Sequence, residues 1–223
     1  MAGSGDEPAH PGGAARFRLG LALVGWVPVG PWPAGVGGGQ EQGGLRVPVR
    51  DPDQVREVTR EGAVAAVAAA ARAAHDLHEA GIAHRDIKPA NILLTDDGAK
   101  LADLGLVQVL APGQTITGLG AIGSVEYLDP AIMRGERASR ATDIWALGVT
   151  LHRVLTGTGV YGDLPQRDPL LAVRRVLSSP PTLDPSLSDA EAELVRRCLD
   201  PDLTARYRTA AEVADALDAL GRA

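Results

Sequence analysis

Apolar residues along most of the chain follow the three- and four-residue steps of a helix face that packs on a core. The first such series consists of Val64, Val67, Ala71, Ala74 and His78. Asp51-Pro52 predicts the start of this long helix, because an N-cap residue followed by proline suits the first helical position. Gly81 predicts its end, since glycine adopts the left-handed conformation that follows many helices.

Three more helices are predicted in the second half of the chain. The first is marked by Ile144, Leu147, Leu151 and Leu155 and ends at Gly157. The other two begin at capping boxes, in which a hydroxyl and a carboxylate three residues later satisfy the free N–H groups of the first turn. These boxes are Ser188-x-x-Glu191 and Thr209-x-x-Glu212, and their helices end at Asp200-Pro201 and Gly221.

Two short apolar runs between these helices predict a small hairpin. Ile92–Thr95 and Lys100–Ala102 are separated by Asp96-Asp97-Gly98, a typical turn sequence. A loop-rich segment follows from about Gly105 to Arg140. The order of helix, hairpin, loop and helices predicts an α-rich α+β domain without internal repeats.

The N-terminal quarter gives weaker signals. Residues 1–15 predict a disordered leader, Phe17–Val27 predicts one or two strands, and residues 28–50 predict a long loop. Leu19–Gly39 carries no charge, but three prolines and seven glycines argue against a membrane-spanning helix. A signal peptide is the alternative, and the long acidic, Gly- and Pro-rich leader before the apolar run argues against it.

Charge and cysteine content narrow the class of protein. A net charge of -6 gives no electrostatic case for binding nucleic acid or an anionic membrane. Cys198 is the only cysteine, so the chain has no internal disulfide, and a reducing, cytoplasmic location is expected. Cys198 itself is expected to be a buried helix residue. The only two lysines are Lys88 and Lys100.

One segment carries the groups that phosphoryl transfer requires. His84–Asn91 lies between the long helix and the hairpin, and Asp103 comes twelve residues after Asn91. Transfer from Mg-ATP needs a carboxylate for the acceptor hydroxyl, oxygen ligands for the metal, and a cation facing the transferred group. Asp86, Asn91 with Asp103, and Lys88 can supply these in turn, and the hairpin would bring them together.

These motifs resemble the C-lobe of bacterial, eukaryotic-like (Hanks-type) serine/threonine protein kinases, from about Arg56 to Leu220. His84–Asn91 matches the catalytic loop H-R-D-x-K-P-x-N, and Asp103-Leu104-Gly105 matches D-F-G with leucine in place of phenylalanine. The resemblance implies that Asp86 is the catalytic base and that Lys88 marks serine/threonine specificity. It also implies ATP and Mg²⁺ as cofactors, with Lys88, Asn91 and Asp103 on the nucleotide and Asn91 and Asp103 on the metal.

The rest of the motif set follows in the family's order. Gly123–Pro130 resembles the end of an activation segment over residues 103–131, with Ser124 at a hydroxyl position that contacts the catalytic Asp and Lys. Asp143–Gly148 resembles the start of the central buried helix, whose Asp braces the catalytic loop. Leu199-Asp200-Pro201, followed by Arg206, resembles the closing helical region.

The loop of the activation segment contains two threonines with two alternative interpretations. Thr115 and Thr117 are either ordinary solvated residues or autophosphorylation sites that would order the loop through Arg85.

One departure from the family concerns the partner of Arg206. Ala131 stands where the family's Ala-Pro-Glu motif has its glutamate. Because an unpaired buried guanidinium is costly, Arg206 is expected either to pair with another acid or to turn to solvent. The candidate acids are Asp129, Asp200 and Asp202.

A second departure concerns the nucleotide-covering lobe. No lysine precedes Lys88, so the family's phosphate-anchoring lysine is missing from this sequence. Gly25–Gly30 imitates the spacing of a P-loop, but Pro31-Trp32 replaces its Lys-Ser/Thr, and Gly35–Gly39 lacks the last glycine of G-x-G-x-x-G. The sequence therefore predicts a remnant N-lobe and hinge over residues 16–50 and a kinase C-lobe over residues 51–221.

The function predicted from the sequence is transfer of the ATP γ-phosphate to serine or threonine hydroxyls of protein substrates. The missing elements leave three alternatives: a fragment of a longer kinase, a pseudokinase or interaction scaffold, or an active kinase with a remodelled, minimal N-lobe. Sugar and antibiotic phosphotransferases share an H-x-D-x-x-x-x-N loop, but they generally lack the Lys-Pro pair and a segment like Gly123–Pro130. No feature of the sequence indicates an oligomeric state.

Overall fold

The computed structural model describes residues 45–48, 55–95, 98–103, 108–109, 122–165 and 168–222. The helices are α1 Arg60–Glu79, α2 Pro130–Met133, α3 Arg140–Thr156, α4 Pro169–Ser178, α5 Asp189–Cys198 and α6 Ala210–Leu220. The strands are β1 Leu45–Pro48, β2 Val55–Val58, β3 Ile82–Ala83, β4 Ile92–Thr95, β5 Gly98–Leu101 and β6 Gln108–Val109. The predicted leader, the strand predicted within Phe17–Val27 and the glycine clusters lie outside the described residues.

Helix α1 is the predicted long helix, and the predicted apolar face is buried. Val64, Val67, Ala71, Ala74 and His78 are all at most 6% exposed. The small alanine side chains of α1 let this helix pack closely on α6, α3 and β5. After Glu79 the chain leaves the helix through Gly81, whose φ of 76° confirms the predicted glycine stop.

The predicted start of α1 and the predicted loop before it are both wrong in part. Val55–Val58 forms a strand that pairs with β1 in antiparallel register, with Leu45 opposite Val58. The helix therefore begins at Arg60, and its N-cap is Thr59, whose hydroxyl accepts a hydrogen bond from the Gly62 N–H at 3.1 Å. Asp51-Pro52 lies outside the described residues, and the division into segments 16–50 and 51–221 stays a prediction.

The short strands form three two-stranded antiparallel pairs within the described residues. β4 and β5 are the predicted hairpin, with Ile92 opposite Leu101. Gly98, predicted as part of the turn, is the first residue of β5, opposite Thr95. β3 pairs with β6, which brings the chain beyond Asp103 back alongside the start of the catalytic loop.

Helix α3 is the centre of the helical core, because it contacts α1, α5 and α6. It ends at Gly157 as predicted, in the left-handed conformation. Gly148 is needed for the close approach to α5, since a Cβ at this position would lie 2.5 Å from the Cβ of Cys198. Cys198 is buried as predicted, and burial raises the pKa of its thiol to about 12.

The two predicted capping boxes mark real helix starts. Ser188 and Glu191 form a complete box at α5, and Glu191 also binds Arg60 of α1 through two hydrogen bonds of 2.6 and 2.8 Å. At α6, the Thr209 hydroxyl accepts from the Glu212 N–H at 3.2 Å. The Glu212 carboxylate, however, accepts from the N–H of Arg208 rather than from the N-cap residue.

Helices α2 and α4 were not predicted as separate elements. α2 is only one turn long, and Asp129 caps it by accepting from the Ala131 N–H at 2.9 Å. α4 lies in a stretch to which no element was assigned from the sequence, although Ala172 and Val176 recur at helical spacing on its buried side. Among the helices of the described segments, none is long and apolar enough to span a membrane.

Arg206 and Asp129 form a buried ion pair between the closing region and the start of α2. Arg206 Nη1 lies 2.5 Å from Asp129 Oδ2, and each side chain is only 2% exposed. Arg206 also donates to the backbone carbonyls of Asp200 and Ala141 and lies over the ring of Trp145. Arg206 therefore pairs with another acid, Asp129, and does not turn to solvent.

Replacing Asp129 by alanine should destabilise the domain by about 3–5 kcal/mol, because it leaves a buried guanidinium without its counter-charge. An Asp129→Ser variant should also lose the ion pair. Adding Ala131→Glu to that variant should recover part of the lost stability, because a glutamate then stands at the position where the family has its acid. The free energy of unfolding, measured with urea, tests both changes.

The exposed ion pair between Arg196 and Glu193 provides the matched control. Glu193→Ala should change the free energy of unfolding by no more than about 0.5 kcal/mol. If Asp129→Ala costs as little as Glu193→Ala, the buried pair does not hold the closing region to α2.

Candidate functional site

The loop His84–Asn91, between β3 and β4, is held by one carboxylate of the core helix α3. The Asp143 side chain is fully buried, and its two oxygens accept hydrogen bonds of 2.8 Å from the backbone N–H groups of His84 and Arg85. A third bond of 2.8 Å joins Asp143 Oδ2 to Nε2 of His78 at the end of α1. Asp143 therefore connects the loop to α3 and, through His78, to α1.

Arg85 has the unusual backbone conformation that this bracing permits. Its φ of 70° is rare for a residue other than glycine, asparagine or aspartate. In this conformation the N–H groups of His84 and of Arg85 both reach Asp143. Strain of this kind persists only where the surroundings fix it.

His84 is fully buried and connects the loop to the strand that precedes Asp103. Its Nε2 lies 3.1 Å from the carbonyl oxygen of Ala102, and its Nδ1 lies 3.4 Å from the N–H of Asp86. A neutral imidazole with the proton on Nε2 satisfies both contacts, since it donates to the carbonyl and accepts from the amide. Burial lowers the pKa of His84 and outweighs the opposing influence of Asp143, Asp86 and Asp103.

Asp86, Lys88 and Asn91 form a compact group at the loop's centre. Lys88 Nζ lies 2.7 Å from Asp86 Oδ2 and 3.0 Å from Oδ1, so the ammonium faces both oxygens. Asn91 Nδ2 donates to Asp86 Oδ2 at 2.9 Å and to the Asp86 backbone carbonyl at 2.7 Å. The three side chains predicted as catalytic are thus in direct contact.

Asp103 lies next to this group through the backbone. The N–H of Ala102, the residue before Asp103, donates to the carbonyl of Asn91 at 2.8 Å. Asp103 itself has a φ of 64° and an exposed side chain, so its carboxylate is on the solvent side of this contact. The hairpin therefore returns the chain to the catalytic loop as the sequence predicts.

The oxygen atoms of this site suit magnesium. Both hydrogen bonds of the Asn91 side chain use its amide nitrogen, so its Oδ1 is available as a ligand, and Asp103 adds an exposed carboxylate. Mg²⁺ typically binds through one or two such protein oxygens together with phosphate oxygens. No group of three or more His, Cys, Asp or Glu side chains that could hold a metal ion occurs in the part of the chain that the structure describes.

The remaining predicted residues are described only in part. Ser124 lies in a short 3-10 helix, Ile122–Tyr127, that packs against α3 and α4. Thr115 and Thr117 lie outside the described residues, so their phosphorylation and its effect through Arg85 stay predictions.

The structural role of His78 was not predicted from the sequence. It was identified only as a member of the apolar face of α1, whereas its imidazole binds Asp143 and thereby links α1 to the loop. A histidine at a core position of an otherwise aliphatic face is the signal that could have indicated a buried polar contact.

The fold and this loop are those of a protein kinase. The sequence profile of the protein kinase domain matches residues 49–216, which is well over half of the chain. The chain belongs to the protein kinase domain family.

Curated relatives with this domain include bacterial serine/threonine kinases. A probable serine/threonine-protein kinase of Streptomyces coelicolor is 35% identical over 61% of this chain and 21% of its own length. Serine/threonine-protein kinase PknB of Mycolicibacterium smegmatis is 37% identical over 61% of this chain and 22% of its own. Serine/threonine-protein kinase PknA of Mycobacterium tuberculosis is 34% identical over 64% of this chain and 33% of its own length. The matched region thus spans a third or less of each of these relatives.

The stability of the domain should fall as the pH falls below about 6.5, the pKa of an unfolded histidine. Because burial lowers the folded-state pKa of His84, the unfolded chain binds more protons between the two pKa values, and protonation favours unfolding there. The contribution of His84 is complete above about pH 6.5 and is lost as the pH falls towards its folded pKa. Urea unfolding at pH 7.5, 6.5 and 5.5 measures the slope.

In His84→Gln, this slope should decrease by up to about 1.4 kcal/mol per pH unit, the limit for one proton. Burial also lowers the pKa of His152, whose imidazole accepts from the Asp184 N–H at 3.0 Å, so part of the slope should remain. An unchanged slope in His84→Gln would show that His84 is not held neutral in the folded state.

Proposed function

We propose that this chain is the catalytic part of a serine/threonine protein kinase, which transfers the γ-phosphate of ATP to hydroxyl groups of protein substrates. The observation that supports this most directly is the position of Asp86, whose carboxylate contacts Lys88 and Asn91 at the same time. These contacts fix the rotamer of a carboxylate that is 7% exposed, so it is held in place before any substrate binds.

The reaction assigns a distinct role to each member of this group. The acceptor hydroxyl donates a hydrogen bond to Asp86, its oxygen attacks the γ-phosphorus, and the bond to the β–γ bridging oxygen breaks as the proton passes to Asp86. Lys88 lies beside this carboxylate and faces the transferred phosphoryl group, where its charge offsets the negative charge on the equatorial oxygens.

Magnesium, where bound, neutralises phosphate charge and orients the leaving group. In the proposal, Asn91 contributes its Oδ1 and Asp103 its carboxylate. Hydrogen bonds to the Asp86 carbonyl and carboxylate fix the orientation of the Asn91 amide and leave its oxygen for the metal. Asn91 thus joins the metal site to the acceptor site within one side chain.

Lys88 is also the basis for proposing serine or threonine as the acceptor, through the resemblance of His84–Asn91 to the family's loop. The named relatives in which the domain occurs are serine/threonine kinases. Protein substrates and a cytoplasmic location are part of the same proposal. The net charge of -6 favours proteins over nucleic acids as partners.

Asp86→Asn should lower phosphate transfer by a factor of about 10²–10⁴, the usual contribution of a positioned general base. The fold should be intact, because an asparagine at this position still accepts from Asn91 and, among the described contacts, the ion pair with Lys88 is the one that is lost. Transfer of labelled phosphate from ATP to a mixed serine/threonine substrate protein measures the effect.

Asp76→Asn, an exposed position on α1, is the matched control and should transfer phosphate at the wild-type rate. Equal transfer by wild type and Asp86→Asn would assign the activity to another site or to a contaminant.

The chain by itself should bind Mg-ATP weakly, because its sequence contains no lysine before Lys88 and no complete glycine-rich loop. Each missing charge-assisted contact costs about 1.5–3 kcal/mol, or roughly tenfold to a hundredfold in affinity. Solvent access to the phosphates would weaken the remaining contacts further. Calorimetric titration with Mg-ATP measures the affinity.

Micromolar affinity together with ordinary turnover would contradict this expectation. It would show that residues among the first fifty, such as Arg46 and Arg50, supply a working cover for the nucleotide. The Asp103→Asn variant is the control for the metal site, because it should weaken Mg-ATP binding without changing the affinity for ATP in EDTA.

A further inference from the structure

His152, in the last turns of α3, contacts the backbones of two different loops through its two ring nitrogens. The residue is 1% exposed. Nδ1 lies 3.1 Å from the carbonyl oxygen of Thr158, in the connection between α3 and α4. Nε2 lies 3.0 Å from the backbone nitrogen of Asp184, in the loop between α4 and α5. His152 therefore joins the segments before and after α4 to the end of α3.

These two contacts fix the protonation state of the ring. A carbonyl oxygen can only accept a hydrogen bond, so Nδ1 carries a proton and donates it to Thr158. A backbone N–H can only donate, so Nε2 carries no proton and accepts from Asp184. The ring is therefore neutral. A second proton on Nε2 would face the Asp184 N–H as donor against donor, and this hydrogen bond would be lost.

The charged groups around the ring act in opposite directions. The Asp184 carboxylate favours a proton on His152, whereas burial and the neighbouring Arg153 oppose it. A hydrogen bond from the backbone of Ser186 lowers the pKa of Asp184, so this carboxylate stays ionised. Arg153 pairs with Glu126 of the 3-10 helix at 3.1 Å. The net effect, in which burial is the largest influence, lowers the pKa of His152.

The α4–α5 loop depends on a small number of such contacts for its position. Most residues of this loop are exposed, although Leu183 packs partly against the core. Two further hydrogen bonds to the α3–α4 connection are described: the Thr182 N–H donates to the Val160 carbonyl at 2.8 Å, and the Thr158 hydroxyl donates to the Asp184 carboxylate at 3.1 Å. Between the two segments lies a cleft of about 520 Å³. Loss of the bond to His152 should therefore weaken the attachment of the loop appreciably.

We propose that His152 is a proton-sensitive latch, which holds the α4–α5 loop to the end of α3 while its ring is neutral and releases the loop when the ring is protonated. The imidazolium is better solvated once the loop has moved away, so a proton favours the open form. The open form has the ordinary histidine pKa of about 6.5 and binds a proton more readily than the closed form. The open fraction therefore rises as the pH falls below about 6.5, and it levels off below the pKa of the closed form. The latch does not depend on the proposed function.

The first measurement is the protonation state of the ring in the whole wild-type chain, labelled with nitrogen-15 in its histidines. Long-range proton–nitrogen correlation spectra distinguish the two neutral forms of imidazole, and the signals missing from His152→Gln assign the residue. At pH 7.5 the spectra should show the proton on Nδ1. A proton on Nε2 at this pH would overturn the proposal, because the Asp184 N–H would then have no acceptor in the ring.

The second measurement is amide hydrogen exchange at pH 7.5, 6.5 and 5.5, corrected for the intrinsic exchange rate at each pH. Opening should increase by up to about tenfold per pH unit between the two pKa values, so the protection of the Asp184 and Thr182 amides should fall by that factor. The Leu199 N–H, which donates to Val195 at 3.0 Å in α5, is the control amide and reports global unfolding. A parallel loss of protection at Asp184 and Leu199 in the wild type would overturn the proposal, because the loop would then open only with the whole domain.

His152→Gln is the matched variant, because its amide oxygen can accept from the Asp184 N–H as Nε2 does but does not titrate. In this variant the protection of Asp184 should follow that of Leu199 at every pH. Both proteins keep His84, so the difference between them isolates His152. An equal additional loss at Asp184 in the variant and the wild type would overturn the proposal. The ring measurement and the comparison of amides within the wild type decide the matter even if His152→Gln does not fold.

Discussion

At the start of α3, the fully buried carboxylate of Asp143 accepts hydrogen bonds from the backbone of His84 and Arg85 and from the imidazole of His78. Burying a carboxylate is costly unless its oxygens are satisfied, and the observed loop conformation brings both N–H groups to it. The left-handed φ of Arg85 is part of that conformation. The position of Asp86 therefore depends on a contact in the helical core rather than on the loop's own sequence.

The helical core can hold Asp143 in place because its helices approach closely. Alanines at eight buried positions of α1 leave little side-chain volume between α1 and its neighbours. Gly148 allows the same closeness between α3 and α5, where a Cβ would collide with Cys198. Helices packed this closely cannot shift independently of one another. The Asp143 carboxylate therefore has a defined position relative to α1 and to the loop.

The sequence was sufficient where one local rule decides the structure. The β4–β5 hairpin, the ends of α1 and α3 at glycines, and the starts of α5 and α6 each depend on a few adjacent residues. The fold class and the contact of Asp86 with Lys88 and Asn91 were also predicted, because the motif order of a known family specified them. The beginning of α1 was mispredicted, since Asp51-Pro52 is a good local helix start and only the pairing of β2 with β1 excludes Val55–Val58 from the helix.

Contacts between distant residues were the least predictable part. Asp129 could be named as one of three possible partners of Arg206, but only the geometry selects it, because Asp200 and Asp202 are near neighbours in sequence whereas Asp129 lies 77 positions away. The bond between His78 and Asp143 joins residues 65 positions apart, and neither the spacing nor the composition indicates it. The solvent-facing leucines of α4 were likewise not predicted, because leucines are usually expected in the core and only the structure shows that Ala172 and Val176 take the buried side.

The bracing by Asp143 has a consequence for how catalysis and nucleotide binding divide between parts of the chain. Among the described residues, the hydrogen bonds that hold Asp86, Lys88 and Asn91 lie within the loop itself, and α1, α3 and the hairpin hold the loop. In the proposed function, these elements would preorganise the acceptor side of the reaction. The groups missing from this sequence act on the phosphates instead. Without these groups, the concentration of ATP needed for the reaction should rise. The geometry at Asp86 should change little, because a rigid site does not have to reorganise when substrate binds.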